Sequence, residues 1–461
     1  MKKKLGLGSI VLLAINSIIG SGIFLSPGSV ISMSGTKAPV VYGLAAIFAI
    51  ILAVTFATAA KYVTQSGAAY AYTRTAFGND LGFYVGITRY LAATIAWGVM
   101  ATGVIKTNIS LLGGDSNNFN LITLGFVLLM LLLLIINFLG SQIFIIINNL
   151  ATLGKLLALL TVIVAGIYLI TTTGVNHFNA INNVKDTGGK PLVPVMNTAN
   201  WVTAIIAAFY AFTGFEGVAS GAEDMHNPQK NLPRAIPLAI SVIALIYIGI
   251  IIVVMMINPQ AIVQTKSVVA LAAVFHNPII KNIILSGALI SMLGVNVAAS
   301  FHTPRALEAM AKQKQIPRWL QKRTWHNFPL SAFLITVSLA LIIPLVFNYN
   351  MTNIIILSSI SRFVQFLVVP LSVINYFRGK NKEAVLPNVQ KNIVTDVIFP
   401  VLAVLLTLFL LLKFDWVGQF TVIDTQGQRQ PNIAAIIVMI LGYVILPGIL
   451  YGFYRKTTAQ H

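Results

Sequence analysis

Two apolar segments of this chain are interrupted by glycine at matching places, and that limits what the chain can become. Ile18-Ile19-Gly20-Ser21-Gly22-Ile23-Phe24 breaks the first segment, and Thr213-Gly214-Phe215-Glu216-Gly217 breaks the sixth. In hydrocarbon a spanning helix must bond its backbone within itself, because lipid offers no substitute partner. A glycine break at mid-membrane depth therefore needs a wet cavity or a ligand for the freed N–H and C=O groups. Paired breaks in two halves of a polytopic chain point to the substrate site of a secondary transporter. This pattern requires a membrane protein, and the composition agrees: 57% of the 461 residues are hydrophobic and only 9% are charged. Soluble domains carry about 25% charged residues.

About twelve apolar segments follow one another, each near the ~20 residues a bilayer needs. They lie at 7–33 (broken), 39–61, 82–112, 120–139, 148–172, 199–225 (broken), 235–257, 282–311, 330–347, 351–377, 393–413 and 431–454. The expected fold is all-α, with no inserted soluble domain. Lys2-Lys3-Lys4 before the first segment resembles a secretory leader. No small-residue cleavage site follows, so an uncleaved first membrane helix is expected. With the N-terminus in the cytoplasm, most of the 30 Lys and Arg fall on the inner side, in clusters such as Lys312–Arg323 and Arg378–Lys391. The net charge of +19 is thus read as membrane topology and not as nucleic-acid binding. An even helix count puts both termini inside. The chain has no cysteine, and its histidines show no ligand spacing, so no metal or cofactor is expected. No nucleophile motif or phosphate loop suggests an enzyme.

Four blocks carry a resemblance to a family. They are Gly20-Ser21-Gly22-Ile23-Phe24; Gln65-Ser66-Gly67-Ala68-Ala69-Tyr70-Ala71-Tyr72 continuing to Phe77-Gly78; Phe212–Glu216 with Glu223-Asp224 and Asn227–Arg234 after it; and Arg305–Ala311 ending at Ile316-Pro317. In this order and spacing the chain resembles the amino acid–polyamine–organocation (APC) superfamily from about residue 5 to residue 377. The resemblance implies a LeuT-type fold: an inverted repeat of five plus five helices (about 7–172 and 199–377) with helices 1 and 6 broken, then two further helices over 393–454. It implies a plasma-membrane carrier of amino acids. An amine carrier or a non-transporting sensor are the alternatives on the same fold.

The residues at the breaks suit that role. Gly20, Ser21 and Gly22 let backbone amides approach a carboxylate closely, and the half-helix starting near Ile23 adds its positive end. Open carbonyls near Ile18 and Ile19, and around Thr213 and Gly214, suit an α-ammonium. The same glycines also suit close helix packing. Tyr210, six residues before Glu216, occupies the offset at which superfamily members place an aromatic that closes over the substrate; packing in the bundle core is the other reading. Glu216 is a carboxylate inside the apolar band, where a charge costs about 2.5–3.5 kcal/mol. It is expected either to carry a coupled proton or to brace the break. Lys155 in helix 5 resembles a tethered replacement for the sodium ion of other members, which implies sodium independence; a lysine snorkelling to the surface is the alternative.

Arg362, mid-way along helix 10, is expected either to neutralise Glu216 or to bind an acidic substrate side chain. Trp97 in helix 3 and Asn296 in helix 8, with Ser300, are weaker pocket positions. Ala299 stands where some members stack an aromatic on a guanidinium, which argues against arginine or agmatine as substrate. On the cytoplasmic side, Glu223 and Asp224 are expected to pair with Lys230, Arg234 or Arg305 as an inner gate. A solvated turn is the other reading there. The driving force, a proton or an exchanged amino acid, is left open, as is the oligomeric state.

Overall fold

The computed structural model describes residues 6–65, 68–139, 141–185, 191, 193–219, 225–265, 269–312, 314–324, 328–387, 389–423 and 428–458. The broken first segment is α1 (Leu7–Ile18) and α2 (Gly22–Ser34). A 3-10 turn joins α2 to α3 (Ala38–Tyr62), and α4 (Ala69–Phe77) follows. Next come α5 (Asn79–Leu111), α6 (Phe119–Leu139) and α7 (Ser141–Thr173). The broken sixth segment is α8 (Thr198–Phe209) and α9 (Phe215–Ala219). Then follow α10 (Pro228–Ile257), α11 (Pro259–Gln264), α12 (Pro278–Lys312), α13 (Leu330–Val346), α14 (Met351–Ile360) and α15 (Phe363–Arg378). The last elements are α16 (Phe399–Lys413), α17 (Trp416–Gln419), α18 (Ile433–Ile440) and α19 (Leu446–Thr458). Among the described residues nine helical stretches are long and apolar enough to cross a membrane, and Leu7–Ile18 and Leu330–Val346 are shorter apolar helices. The chain is an all-α, multi-pass membrane protein.

Three features depart from the sequence expectation. The tenth apolar segment is not continuous: it breaks at Ser361–Arg362, between α14 and α15. The Arg362 N–H turns to the carbonyl of Ser359, three residues back, at 3.2 Å, and the Ser361 carbonyl accepts from the Tyr443 hydroxyl at 3.3 Å. The polar connection after α16 folds into a small antiparallel hairpin, β1 (Thr421–Ile423) against β2 (Arg429–Pro431). The eleventh segment opens with a single π-helical turn, Val394–Ile398, which leads into α16.

Small residues set the spacing of the bundle. The most extensive interfaces join α7 with α12 and α3 with α10. At the first, Gly154 and Gly287 bring two backbones together: a Cβ on Gly287 would stand 2.5 Å from the Gly154 carbonyl oxygen. At another, a Cβ on Gly98 of α5 would stand 2.5 Å from the Ala340 carbonyl of α13. Close backbone approach replaces the hydrophobic drive that lipid cannot supply.

One buried ion pair fastens α16 to the end of α3. Asp396, on the π-helical turn, is fully buried and takes Lys61 Nζ at 2.8 Å on one oxygen and 3.0 Å on the other. The Tyr62 hydroxyl donates to it at 2.6 Å and the Asn392 amide at 3.0 Å. The chain between α15 and α16 then straps across α3 and α4, with Leu386 N–H on the Tyr62 carbonyl (3.0 Å) and Lys382 N–H on the Thr75 carbonyl (2.9 Å). Removing one partner of such a pair leaves an uncompensated buried charge and costs about 3–5 kcal/mol. We therefore expect Asp396→Ala to lower the Tm in detergent markedly, and Lys61→Met/Asp396→Leu to recover most of the loss. A double variant as unstable as Asp396→Ala would show that the pair is not what fastens α16.

Candidate functional site

The two breaks lie against each other. α1 stops at Ile18, and Ile19 leaves helical geometry with φ −68° and ψ 89°. Among the described residues no backbone carbonyl accepts from the N–H groups of Gly20, Ser21, Gly22 or Ile23. The other break runs through a 3-10 turn, Tyr210–Phe212, to an extended Thr213 and to Gly214 at φ +114°. That φ is open to glycine at little cost. A Cβ on Gly22 would meet the Ala211 Cα at 2.6 Å, and one on Gly214 would meet the Ser17 carbonyl oxygen at 2.6 Å. Close packing is thus one reason for these two glycines. Gly20 is different, since its nearest neighbours would lie at 3.8 Å and 3.9 Å.

Polar groups bridge the gap. Ser17 Oγ donates to the Gly214 carbonyl at 3.1 Å. Ser21 lies beside the Tyr210 side chain, and both are buried. Thr213 Oγ1 turns back to the Tyr210 carbonyl at 2.9 Å. Ile18, Ile19, Ser21 and Ile23 are buried beside them.

Lys155 reaches this place from α7. Its Nζ donates to the Asn16 carbonyl at 2.8 Å and to the Ile19 carbonyl at 2.7 Å, two acceptors that the break in helix 1 leaves open. The residue is buried, so the ammonium does not snorkel to the surface. Thr152, one turn earlier on α7, donates to the Asn16 side chain at 3.1 Å. A cation held on carbonyls in this way satisfies groups that would each cost about 1–3 kcal/mol if left bare.

Glu216 caps the second break. One carboxylate oxygen accepts the Gly214 N–H at 2.9 Å, and the other is ion-paired with Arg362. Both side chains are largely buried. Arg362 reaches it because α14 ends just before it, at the unforeseen third break. Sequence reasoning missed a further member: Arg89 of α5 interacts electrostatically with Glu216, Tyr72 and Arg362. Its signal was present as an arginine ten residues inside α5.

Trp97 is fully buried with its ring 6.0 Å from that of Phe333 in α13, and among the described residues its indole N–H has no hydrogen-bond partner. Asn296 is buried, donates to the Met292 carbonyl of its own helix at 2.8 Å, and keeps its Oδ1 unbonded among the described residues. Ser300 accepts from Asn137 of α6 at 2.9 Å. Glu223 and Asp224 lie outside the described residues. Arg305 stacks on Phe301, 3.4 Å from the ring centroid, and donates to the Phe301 carbonyl. The acid described at that end is Glu308, which holds Lys312 at 2.6 Å and the Arg323 guanidinium at 2.9 Å. Sequence reasoning did not single it out.

Broken helices packed break to break, with buried charges on their freed backbone, are the arrangement expected at a transporter's substrate site. The relationship to known proteins narrows the class. Residues 5–446 match the amino acid permease family, and the chain belongs to it and to the APC superfamily. An uncharacterized transporter of Mycobacterium tuberculosis is 38% identical over 464 residues, covering 98% of this chain and 95% of that protein. The branched-chain amino acid permease BcaP of Bacillus subtilis is 28% identical, covering 90% and 89%. The serine/threonine exchanger SteT of the same organism is 28% identical, covering 76% and 78%.

A methyl group at either packed glycine forces the breaks apart, and overpacking of this kind costs about 1–3 kcal/mol. Gly22→Ala and Gly214→Ala should each lower the Tm and abolish uptake, whereas Gly20→Ala should leave the Tm near wild type. Equal losses of Tm at all three positions would show that the close contact is not the cause.

Proposed function

We propose that the chain carries neutral amino acids across the plasma membrane by alternating access, without sodium. The observation that carries this reading is the Lys155 ammonium on the carbonyls of Asn16 and Ile19. An ion bound there in a sodium-driven carrier has to arrive and leave with the substrate. A lysine is covalently tethered and stays. The substrate carboxylate takes the four free amides from Gly20 to Ile23, and its ammonium takes carbonyls at Ile18 and in the Tyr210–Thr213 turn. Tyr210 closes over it. These groups recognise what every amino acid shares, so side-chain selection falls to the walls. Arg362 is already paired with Glu216. That pairing supports a neutral substrate over an acidic one, and it agrees with the substrates named for two of the relatives.

The architecture behind this reading is the inverted repeat, 7–172 against 199–377, with 393–454 as two added helices and both termini cytoplasmic. The matching breaks and the α3–α10 contact, which joins helix 2 to helix 7, support it. Proton coupling or exchange supplies the drive.

Purified protein in proteoliposomes tests the proposal. Uptake of labelled serine, leucine or another neutral amino acid should be unchanged when sodium is replaced by choline. It should be competed by neutral amino acids and not by aspartate or glutamate. Lys155→Gln should lower uptake at least tenfold, consistent with leaving two buried carbonyls poorly satisfied at about 1–3 kcal/mol each. Competition by aspartate would return Arg362 to the pocket. No uptake of any amino acid, with or without a pH gradient or internal amino acid, would sink the transport reading.

A further inference from the structure

Beyond the breaks, one buried charge has no role in the reading above: Lys106, in the last third of α5. A lysine five residues from the end of a membrane helix ordinarily snorkels its ammonium into water. Lys106 does not. The residue is 7% exposed, and among the described residues its one hydrogen bond is to the Tyr349 carbonyl at 3.1 Å. An ammonium has three N–H donors. The side chain lines two cavities at once, one of about 200 Å³ and one of about 640 Å³.

The surroundings of Lys106 are those of an anion. Both cavities are also lined by Met351 and Thr352, the first turn of α14. The opening N–H groups of a helix lack intrahelical acceptors and carry its positive end. The Asn350 side chain takes the Asn353 amide at 3.1 Å, and among the described residues no hydrogen bond takes the amides of Met351 and Thr352, the two residues that line both cavities. The Thr352 and Ser29 hydroxyls hydrogen-bond each other at 2.9 Å in the wall of the smaller cavity, and Arg429 adds a second cation to the larger one. The acids nearby are engaged in their own turns. Asp115, whose charge acts on Lys106, accepts the Asn117 amide at 3.0 Å, and Asp415 accepts the Gly418 amide at 2.8 Å.

The smaller cavity lies along α2, the helix that restarts at the break in helix 1. Its wall includes Leu25, Gly28 and Ser29 of α2. Ser29 is seven residues beyond Gly22, about 10 Å along the helix at 1.5 Å per residue. Leu25, between the two, fills the space beside Gly103, one turn before Lys106.

We propose that Lys106 and the first turn of α14 form a second carboxylate site, which receives the substrate's carboxylate before it reaches the free amides of the helix 1 break. The order of passage rests on the substrate site proposed above, but the binding site does not. The ligand chemistry is a carboxylate, whether of an amino acid or of a simple organic acid.

Full-length protein in nanodiscs of neutral lipid, titrated with trifluoroacetate and followed by fluorine NMR, tests it. Wild type should give saturable line broadening that acetate displaces and methylammonium does not. Lys106→Met should weaken that binding about tenfold or more, as expected for losing a buried charge-assisted contact, and Lys106→Arg should retain it. Thr352→Val, which leaves the lysine in place, should weaken it several-fold. Gly22→Leu should leave the Lys106-dependent part of the binding intact while abolishing uptake. No saturable binding to wild type, or binding unchanged in Lys106→Met, overturns the proposal even if uptake is normal. Absence of uptake with Lys106-dependent binding preserved would overturn the transport reading alone.

Discussion

A backbone opened inside a bilayer has to be closed again by something other than itself, and here a lysine does it. The Lys155 ammonium on the Asn16 and Ile19 carbonyls lets helix 1 stop at Ile18 and restart at Gly22 within an apolar bundle. Other contacts at the centre follow from that gap. Because helix 1 is interrupted, Ser17 is free to donate to Gly214, and Gly22 fits against Ala211. Gly214 in turn holds a left-handed backbone whose N–H needs an acceptor, and Glu216 supplies it. A carboxylate at that depth then needs a cation, and Arg362 reaches it only because helix 10 is itself interrupted. The opening of helix 1 is closed by a charge from helix 5, and the carboxylate that closes the opening of helix 6 is itself balanced by a charge from helix 10.

This chain of dependence explains what the sequence made legible. Glycine is the usual residue at a break that must also pack closely, so Gly20–Gly22 and Gly214 announced two breaks. Lys155 and Glu216 stood out because a charge in an apolar run requires a partner. The third break left no such mark. Ser358-Ser359-Ile360-Ser361-Arg362 contains neither glycine nor proline, and its turn is held from outside the segment by Tyr443 on the Ser361 carbonyl. Arg89 was overlooked because ten residues into a helix an arginine reads as interfacial. Only the packing of α5 against the centre puts it in the field of Glu216 and Arg362.

The long-range pairs were the least legible. Lys61 and Asp396 are separated by 335 positions, and nothing local to either predicts the other. The sequence placed Lys61 as one more inner-side cation of the topology pattern, and that assignment said nothing about its partner. At the end of α12 the expected acids for Arg305 were those of the 223–224 segment. Those two acids lie outside the described residues; the one described beside Arg305 on its own helix, Glu308, holds Lys312 one turn away and Arg323 from the following loop. Arg305 satisfies itself on Phe301, by stacking and by a carbonyl, within its own helix.

A tethered cation also changes what the carrier asks of its surroundings. A mobile ion at the Asn16 and Ile19 carbonyls would tie the shape of the break to an ion gradient, since the carbonyls would be bare whenever the ion left. A lysine keeps them occupied whether or not substrate is present, so the ground state of the break has no vacancy to fill before an amino acid binds. The cost is that the site gains nothing from an external gradient through that contact. Under the proposed function, accumulation must therefore come from a group whose charge changes during the cycle, or from an amino acid leaving as another enters. A counter-moving amino acid needs no titrating residue. It needs only that the empty carrier reorient more slowly than the loaded one. Under that proposal the ion pair of Glu216 with Arg362, which bridges the helix 6 break to helix 10, would be a physical basis for that inequality if the two helices move apart. Substrate contacts across both breaks then offset a cost that the empty carrier would meet alone.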